Sequence, residues 1–334
     1  MQDSIIKEIA AVVGSEHTLT GEEDRWTYAY DATDLTALPD LVVFPGSAEE
    51  IAAIVKLANQ HRFPVVPRGA GTGRAGGSVP AQGGVVLVLT RLNRILEINP
   101  EDLVAVVEPG VITGVLKKAV AEHGLWYPPD PGSADYCTLG GNVATGAGGA
   151  MAVQYGVTRD YVLGLEVVLP TGEIIVTGAR TIKSVVGYDL TRLLLGSEGT
   201  LGVITKIILR LVPQPASRLS LVAGFVTLDA ALTAVGQVLR SGLSPTAIEF
   251  MDRATLDCVR EMLPFEAPPH DLPEGAHNSA HSPPGQDRDR DSLCLSGREN
   301  LLRWDTKDGS DSFRLITRGR RSDGSFYSGD PDLV

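Results

Sequence analysis

The feature that most constrains this chain is a glycine-dense loop placed directly behind a short apolar strand. The strand is predicted at Pro64–Pro67, and the loop continues to Ser78 with five glycines among the twelve residues from Pro67 onward. Because glycine has no Cβ, successive backbone N–H groups can point into one concavity and bind an anion such as a pyrophosphate. The loop alone leaves open a second interpretation, an ordinary flexible surface loop.

The context of this loop differs from the two common phosphate-binding motifs. The Rossmann fingerprint is a G-x-G-x-x-G sequence between the strand and the helix of a βαβ unit, and the P-loop ends in Gly-Lys-Ser/Thr. We interpret the loop as neither, since its glycine spacing is not expected to be that of the fingerprint between a strand and a helix and no Gly-Lys follows it. An NAD-linked enzyme, which needs the fingerprint and an acidic residue about 20 positions later, is therefore disfavoured.

Two further loops combine glycine with small polar residues. The second runs from Pro128 to Ser133 and again from Thr138 to Gly149. It offers the close backbone approach and the hydroxyl and amide groups that a buried flavin needs, but by itself it is equally well explained as a plain connection. The third, Gly187 to Thr205, predicts a tight turn that leads into a core strand.

The apolar pattern predicts an α+β fold with several helices and many strands. Helical spacing at Asp3 to Val13 and a capping box at Ser47 to Glu50 predict two helices, and a third is expected from Val111 to His123. Apolar and β-branched runs predict strands at 41–45, 85–89, 95–98, 103–107, 162–169, 173–176 and 201–212. Pro213 and Pro215 then mark a boundary.

The character of the chain changes at about Pro264. From there to Val334 only 18 of 71 residues are hydrophobic, against 43% for the whole chain. A segment of this composition buries too little apolar surface to offset the entropy lost on ordering, so we expect it to be largely disordered.

Charge and cysteine usage exclude several function classes. A formal net charge of −12 argues against nucleic acid, and against an anionic membrane surface, as the main partner. Cys137, Cys258 and Cys294 form no CxxC pair, so neither a metal site nor a disulfide framework is predicted, and a reducing cytoplasm fits best. No apolar run of about 18 residues predicts an integral membrane segment, and no signal peptide is expected.

Taken together, the three loops resemble those of the PCMH-type, or vanillyl-alcohol-oxidase-like, family of FAD-linked oxidases. Within it they are most similar to the subfamily of glycolate oxidase FAD subunits and D-lactate dehydrogenases. The resemblance runs from Leu38 to Pro215 and continues more weakly to Leu263. The segments from Tyr155 to Gly172 and from Gly187 to Thr205 are particularly close to that subfamily.

The resemblance implies an FAD site built from all three loops. In this family the first loop surrounds the pyrophosphate, the second lines the flavin and its ribityl chain, and the third lies near the adenosine. The implied cofactor-binding residues are Pro67, Arg68, Gly69, Ala70, Gly71, Thr72, Gly73, Gly76 and Gly77 in the first loop, Pro131, Gly132, Ser133, Thr138, Gly140, Gly141, Asn142, Thr145 and Gly148 in the second, and Glu198, Gly202, Val203 and Ile204 in the third.

Three positions qualify this picture. Some relatives attach the flavin covalently through a histidine in the first loop, where this chain has Thr72, so the resemblance implies non-covalent FAD. Arg74 replaces a usually apolar residue; it either contacts a phosphate or is a solvated side chain, and we favour the second. Gly146 stands where asparagine is common, which removes one side-chain amide near the flavin.

The implied reaction is the oxidation of a small 2-hydroxy acid, glycolate or D-lactate, to the 2-oxo acid. The resemblance further implies an iron–sulfur electron-transfer subunit as partner, and a cytoplasmic location, peripheral to the membrane through that subunit. Family members carry a Gly-His-x-Gly-Asp-Gly-Asn motif on a substrate-covering domain, and none of the six histidines here lies in such a motif. No catalytic residue is therefore assigned.

The expected architecture is a two-subdomain PCMH-type FAD-binding fold in which residues 1–37 form an N-terminal helical segment and residues 38–215 the FAD-binding domain. Residues 216–263 are the expected start of a truncated substrate domain, and residues 264–334 the disordered tail. The alternative is a truncated FAD-binding module without turnover.

Overall fold

The computed structural model describes residues 1–215, 220–222, 228–241 and 244–259, together with strands at 294–296, 300–307, 310–320 and 326–328. The chain divides into two compact units, Met1–Gln214 and Pro215–Val334, which are described separately.

The first unit alternates short helices with many short strands. Its helices are α1 (Asp3–Val13), α2 (Glu22–Trp26), α3 (Ala48–His61), α4 (Thr113–Ala121), α5 (Leu139–Thr145), α6 (Ala152–Tyr155) and α7 (Leu190–Leu194), with 3-10 turns at Ser15–His17, Leu89–Arg91 and Thr158–Asp160. Its strands are β1 (Thr18–Leu19), β2 (Leu41–Val43), β3 (Val65–Arg68), β4 (Val85–Val88), β5 (Ile95–Asn99), β6 (Val104–Val107), β7 (Leu125–Trp126), β8 (Val162–Val168), β9 (Ile174–Gly178), β10 (Val203–Arg210) and β11 (Val212–Pro213).

The first sheet has the order β1-β2-β4-β3, with β4 parallel to both β2 and β3. The crossover from β2 to β3 is α3, whose start is capped as expected: Glu50 N donates to Ser47 Oγ at 3.2 Å, and the Glu50 carboxylate accepts from Gly46 N at 2.7 Å. The apolar faces of α1 and α3 pack on this sheet through the fully buried Ile9 and Ile51.

The second sheet has the order β5-β6-β10-β8-β9, with every neighbouring pair antiparallel. Its central strand β10 places Ile207 and Leu209 in a core that α4 and α5 cover with Leu116 and Leu139. A separate pair, β7 with β11, leads the chain out of the unit.

The predicted α+β class is confirmed, and most predicted strands form within two residues of the expected bounds. One prediction missed a helix: the second glycine-dense segment contains α5, because Thr138 caps it by accepting a hydrogen bond from Gly141 N at 3.2 Å. The strand predicted at 201–212 is divided, since β10 ends at Arg210 and Val212 pairs instead with Trp126.

The second unit contains α8 (Leu228–Arg240) and α9 (Arg253–Val259) and the strands β12 (Ser220–Val222), β13 (Cys294–Ser296), β14 (Asn300–Lys307), β15 (Ser310–Arg320) and β16 (Phe326–Ser328). β12 pairs with β13, and β14, β15 and β16 form an antiparallel sheet. Of residues 264–334 the structure describes these last four strands, and the rest of the stretch for which disorder is predicted lies outside the described residues.

The hydrophobic core beside the five-stranded sheet can be tested directly. Ile207→Ala should lower the free energy of unfolding by about 2–5 kcal/mol, because it opens a cavity beneath the central strand of the five-stranded sheet. Val176→Ala, on the same sheet but 70% exposed, should change it by less than about 0.5 kcal/mol. Urea unfolding followed by tryptophan fluorescence measures both, and equal losses would contradict this assignment of the core.

Candidate functional site

The first glycine-dense loop leaves β3 and does not continue into a helix. The expectation that the glycine spacing differs from the fingerprint is wrong, because Gly71, Gly73 and Gly76 do have the spacing G-x-G-x-x-G. Residues 69–84 nevertheless contain no helix before β4 begins. The Rossmann arrangement, in which the loop opens a helix, is therefore not formed. Instead the loop turns toward α5 and the segment that precedes β10.

Three backbone approaches join the loops into one wall. A Cβ at Gly69 would overlap the Oγ1 of Thr138, which caps α5, and a Cβ at Gly77 would overlap the carboxylate of Glu198. A Cβ at Gly140 would lie 2.5 Å from the Pro109 Cβ. A side chain at Gly69 or Gly140 would force its neighbour to shift, whereas at Gly77 the flexible end of the Glu198 side chain would have to move.

Glu198 connects the third loop to α5 in a conformation that non-glycine residues rarely adopt. Its φ is 51°, in the left-handed region, which costs about 1–3 kcal/mol for such a residue. The backbone N–H of Glu198 donates to the Ala144 carbonyl at 2.9 Å, and Gly196 N donates to the Val143 carbonyl at 3.1 Å. These bonds hold the strained residue against the end of α5.

The three loops enclose one open cleft within the first unit. It is lined by all of the predicted cofactor-binding residues except Gly76, Gly132 and Gly148. Residues that the loop patterns did not point to also line it, namely Asp31, Ala75, Ser78, Leu89, Pro109, Cys137, Ala144, Ala147 and Gly199. Several of these are neighbours of predicted residues, whereas Asp31 and Leu89 come from segments without any sequence signal of a site.

Arg68 is buried beneath the first loop and not displayed on it. Its guanidinium donates to the Tyr30 carbonyl at 2.7 Å and to the Ser78 hydroxyl at 3.4 Å, and it lies 5.7 Å from the centre of the Tyr28 ring. Burial lowers the pKa of Arg68, and the nearby charge of Asp31 opposes that shift. This side chain therefore positions the loop from within.

A buried polar chain fixes the floor of the cleft. The Asn142 side-chain amide donates to the Thr113 hydroxyl at 2.7 Å, and that hydroxyl in turn donates to the Cys137 carbonyl at 3.3 Å. Asn142 and Cys137 are more than nine-tenths buried. The side-chain amide of Asn142 is thus held in one orientation at the cleft.

The two departures noted in the sequence have simple structural settings. Arg74 is exposed and is not among the residues that line the cleft, as a solvated side chain would be. Gly146 has φ 65° at the end of α5, and a Cβ at this position would meet no atom within 4 Å. Asparagine is the other residue that tolerates this left-handed helix cap, which explains why either residue suits the position.

The lining of the cleft allows a ligand to approach the backbone closely, and we call it the cradle. Its walls are glycine backbone, small side chains and two carboxylates, Asp31 and Glu198, and Arg68 is the one basic side chain among the described lining residues. Such walls fit a large, flat, phosphate-bearing ligand that needs close backbone approach. In the described part of the chain no three His, Cys, Asp or Glu side chains come together as a metal site would require.

Histidine chemistry lies elsewhere in the described residues. His61 contacts Glu8 at 3.1 Å and His17 lies 3.8 Å from Glu16, both on the outer surface of the first unit, and His123 is exposed. His270, His277 and His281 fall outside the described residues. None of the described helices is both long and apolar enough to cross a bilayer.

Comparison with known proteins places this cleft in context. Residues 39–178 match a family described as FAD binding domain, and residues 214–290 match the C-terminal domain of FAD linked oxidases. The glycolate oxidase subunit GlcD of Bacillus subtilis is 46% identical over 251 residues, which cover 75% of this chain and 53% of that protein. The D-lactate dehydrogenase of Anaerostipes hadrus is 42% identical over 277 residues, 82% of this chain and 57% of that enzyme.

Solved structures agree on the fold. An alkyldihydroxyacetonephosphate synthase aligns with a TM-score of 0.65 at 26% identity, covering 74% of this chain and 47% of its own. A p-cresol methylhydroxylase with bound substrate aligns with a TM-score of 0.63 at 23% identity, covering 72% and 48%, and this likeness concerns the fold alone. The chain spans about half the length of the curated relatives it matches.

The contact between α5 and Pro109 gives a test in which two expectations have opposite signs. Alanine is about 1 kcal/mol better than glycine inside a helix, so Gly140→Ala would ordinarily stabilise α5. Here the added methyl group meets the Pro109 carbonyl oxygen at 2.9 Å, and we expect a loss of about 1–3 kcal/mol and a melting temperature lower by several degrees.

The matched control is Gly73→Ala. Its Cβ would meet no atom within 4 Å, so the melting temperature of the unliganded chain should stay unchanged. A Gly140→Ala chain that melts higher than the parent would show that α5 and Pro109 are not in close contact.

Proposed function

The chain belongs to the PCMH-type FAD-linked oxidases, and on that premise we propose that it forms the FAD-binding part of an enzyme that oxidises a 2-hydroxy acid to the 2-oxo acid. The family resemblance and the FAD cofactor predicted from the three loops are confirmed by the matched domains and relatives. Glycolate and D-lactate are the proposed substrates because the relatives described above are named for them.

The observation that carries the proposal is the single cleft lined by all three glycine-dense loops. Residues from Gly69 to Gly73 with Gly77 would hold the pyrophosphate through backbone N–H groups. Pro131, Ser133 and the start of α5 would lie against the flavin. Glu198 and residues 202–204 would flank the adenosine.

When bound, the flavin supplies the electron acceptor for the oxidation, and the protein supplies binding and orientation. The walls of the cleft would hold the cofactor without a covalent link, because Thr72 occupies the position where some relatives carry the linking histidine. The glycine contacts between loops keep the cradle narrow, and the Asn142 amide, fixed by Thr113, presents a constant polar group.

The substrate-binding cations and the base are proposed to belong to the C-terminal domain, whose family model matches residues 214–290. In keeping with this, the described residues that line the cleft include no histidine, lysine or tyrosine. We retain the proposed division into an N-terminal segment (1–37), an FAD-binding domain (38–215), the start of a substrate domain (216–263) and a tail (264–334). The same lack of histidine, lysine and tyrosine among the described lining residues favours, as a second candidate function, an FAD-binding module without turnover.

An iron–sulfur electron-transfer subunit is the proposed partner, and a cytoplasmic location, peripheral to a membrane through that partner, is proposed with it. The support is that one relative is named as a subunit of a glycolate oxidase. The net charge of −12 makes direct binding to an anionic membrane surface unfavourable.

The first test is the visible absorption spectrum of the purified chain before and after acid precipitation. A flavin spectrum that moves into the supernatant is expected, because FAD is held non-covalently. A colourless chain that also takes up no added FAD would overturn the proposal.

The cradle itself is tested by Gly73→Ala, whose methyl group enters the open cleft. We expect its dissociation constant for FAD to rise about tenfold or more, equivalent to about 1.4 kcal/mol, with unchanged melting of the unliganded chain. Gly236→Ala, the same substitution in α8, should bind FAD like the parent chain. Fluorescence titration measures both, and equal affinities would argue against ligand contact at Gly73.

Turnover separates the two candidate functions. If the chain is catalytically competent, anaerobic addition of glycolate or D-lactate to the FAD-loaded chain should bleach the flavin absorption. FAD that binds but is not bleached by either acid would support the binding module and contradict the enzyme.

A further inference from the structure

Asp31 is a buried carboxylate in the cleft with one oxygen left free. Its exposed fraction is 8%, and it lines the cleft although no loop motif includes it. One oxygen, Oδ1, accepts from the Thr33 backbone N–H at 2.9 Å and from the Thr33 hydroxyl at 2.5 Å. The other, Oδ2, has no hydrogen-bond partner in the structure.

The position of Asp31 is fixed from both sides by the first loop. The carbonyl of the preceding residue, Tyr30, accepts from Arg68, and the N–H of the following residue, Ala32, donates to the Gly73 carbonyl at 3.0 Å. The carboxylate therefore sits beside the glycine cradle as a built feature of the fold, and its location does not depend on a free loop.

Neither the fold nor the neighbouring cation accounts for the free oxygen. Arg68 attracts the carboxylate electrostatically, but its hydrogen bonds go to Tyr30 and Ser78 and none goes to Asp31. A buried carboxylate oxygen without a donor destabilises a fold, so an unpaired one at the wall of a cleft indicates a partner that arrives with the ligand. The buried Tyr127 Oη, which lies close to Thr158, belongs to the core of the five-stranded sheet and does not line the cleft.

We infer that Asp31 is a binding residue of this cleft, and that its Oδ2 accepts a hydrogen bond from a sugar hydroxyl of the bound dinucleotide. The inference rests on the proposed function, in which the cleft holds FAD. A pyrophosphate offers only acceptors and negative charge, so a carboxylate repels it. The groups attached to the pyrophosphate of FAD are the ribose and the ribityl chain, whose hydroxyls are donors.

This assignment gives Asp31 a role in selectivity. The carboxylate beside the cradle disfavours a bare phosphate or pyrophosphate and favours one that carries a hydroxylated sugar. The positive charge of Arg68 lies close to Asp31 and offsets the negative charge of the carboxylate.

The experiment compares two ligands across matched variants of the whole chain. Asp31→Ala should raise the dissociation constant for FAD about tenfold or more, since a hydrogen bond to a charged acceptor is lost. Asp31→Asn should lose less, because the amide oxygen can still accept. The affinity for inorganic pyrophosphate, measured by calorimetry, should be unchanged or higher in both variants. Asp34→Asn, an exposed change of the same charge three residues away, should alter neither affinity.

Other outcomes overturn the inference in distinguishable ways. Equal weakening of both ligands would make Asp31 a structural support of the loop, and stronger binding of both would make it only a repulsive charge. Parent chain that binds no FAD would overturn the proposed function itself, whereas bound FAD with equal affinity in all variants would overturn the role of Asp31 alone.

A second measurement needs no variant and covers the case in which the Asp31 variants do not fold. FAD analogues that each lack one ribose or ribityl hydroxyl are titrated into the unaltered chain. One of them should bind about tenfold more weakly than FAD. If every analogue binds with the affinity of FAD, a hydroxyl contact at Asp31 is ruled out.

Discussion

The close packing of other segments against Gly69, Gly77 and Gly140 is the constraint on which the rest of the first unit depends. Each glycine lies where any side chain would collide with a group of another segment, Thr138, Glu198 or Pro109. Protein interiors transmit such contacts rigidly because they are closely packed. These contacts therefore set the spacing between the loops that line the cleft.

The contacts at these three glycines matter because the walls of the cleft are carried by two hydrophobic cores. The first loop is carried by the four-stranded sheet, and α5 and the third loop are carried by the five-stranded sheet. Val168 and Val203 from the second sheet pack into the first core and tie the two together. The cradle thus lies where the two cores of the first unit meet.

Several residues whose side chains suggest ligand binding instead hold the loops in position. Arg68 looks like a phosphate-binding residue, yet its donors are directed to Tyr30 and Ser78 beneath the loop. Glu198 accepts a left-handed backbone so that its N–H can reach α5. Asp31, which carries no motif at all, is the group whose bonding capacity remains free at the cleft.

The sequence by itself determined the α+β class, most of the strands and the three glycine-dense loops, because periodicity and glycine content are local properties. It also sufficed for the family and its cofactor, since the loop motifs are continuous in the chain. Only the tertiary structure decided that α5 lies inside the second loop, that Gly76, Gly132 and Gly148 stand back from the cleft, and that Asp31 enters it. These depend on contacts between residues far apart in sequence, such as Ala32 with Gly73 and Gly140 with Pro109, which no local pattern encodes.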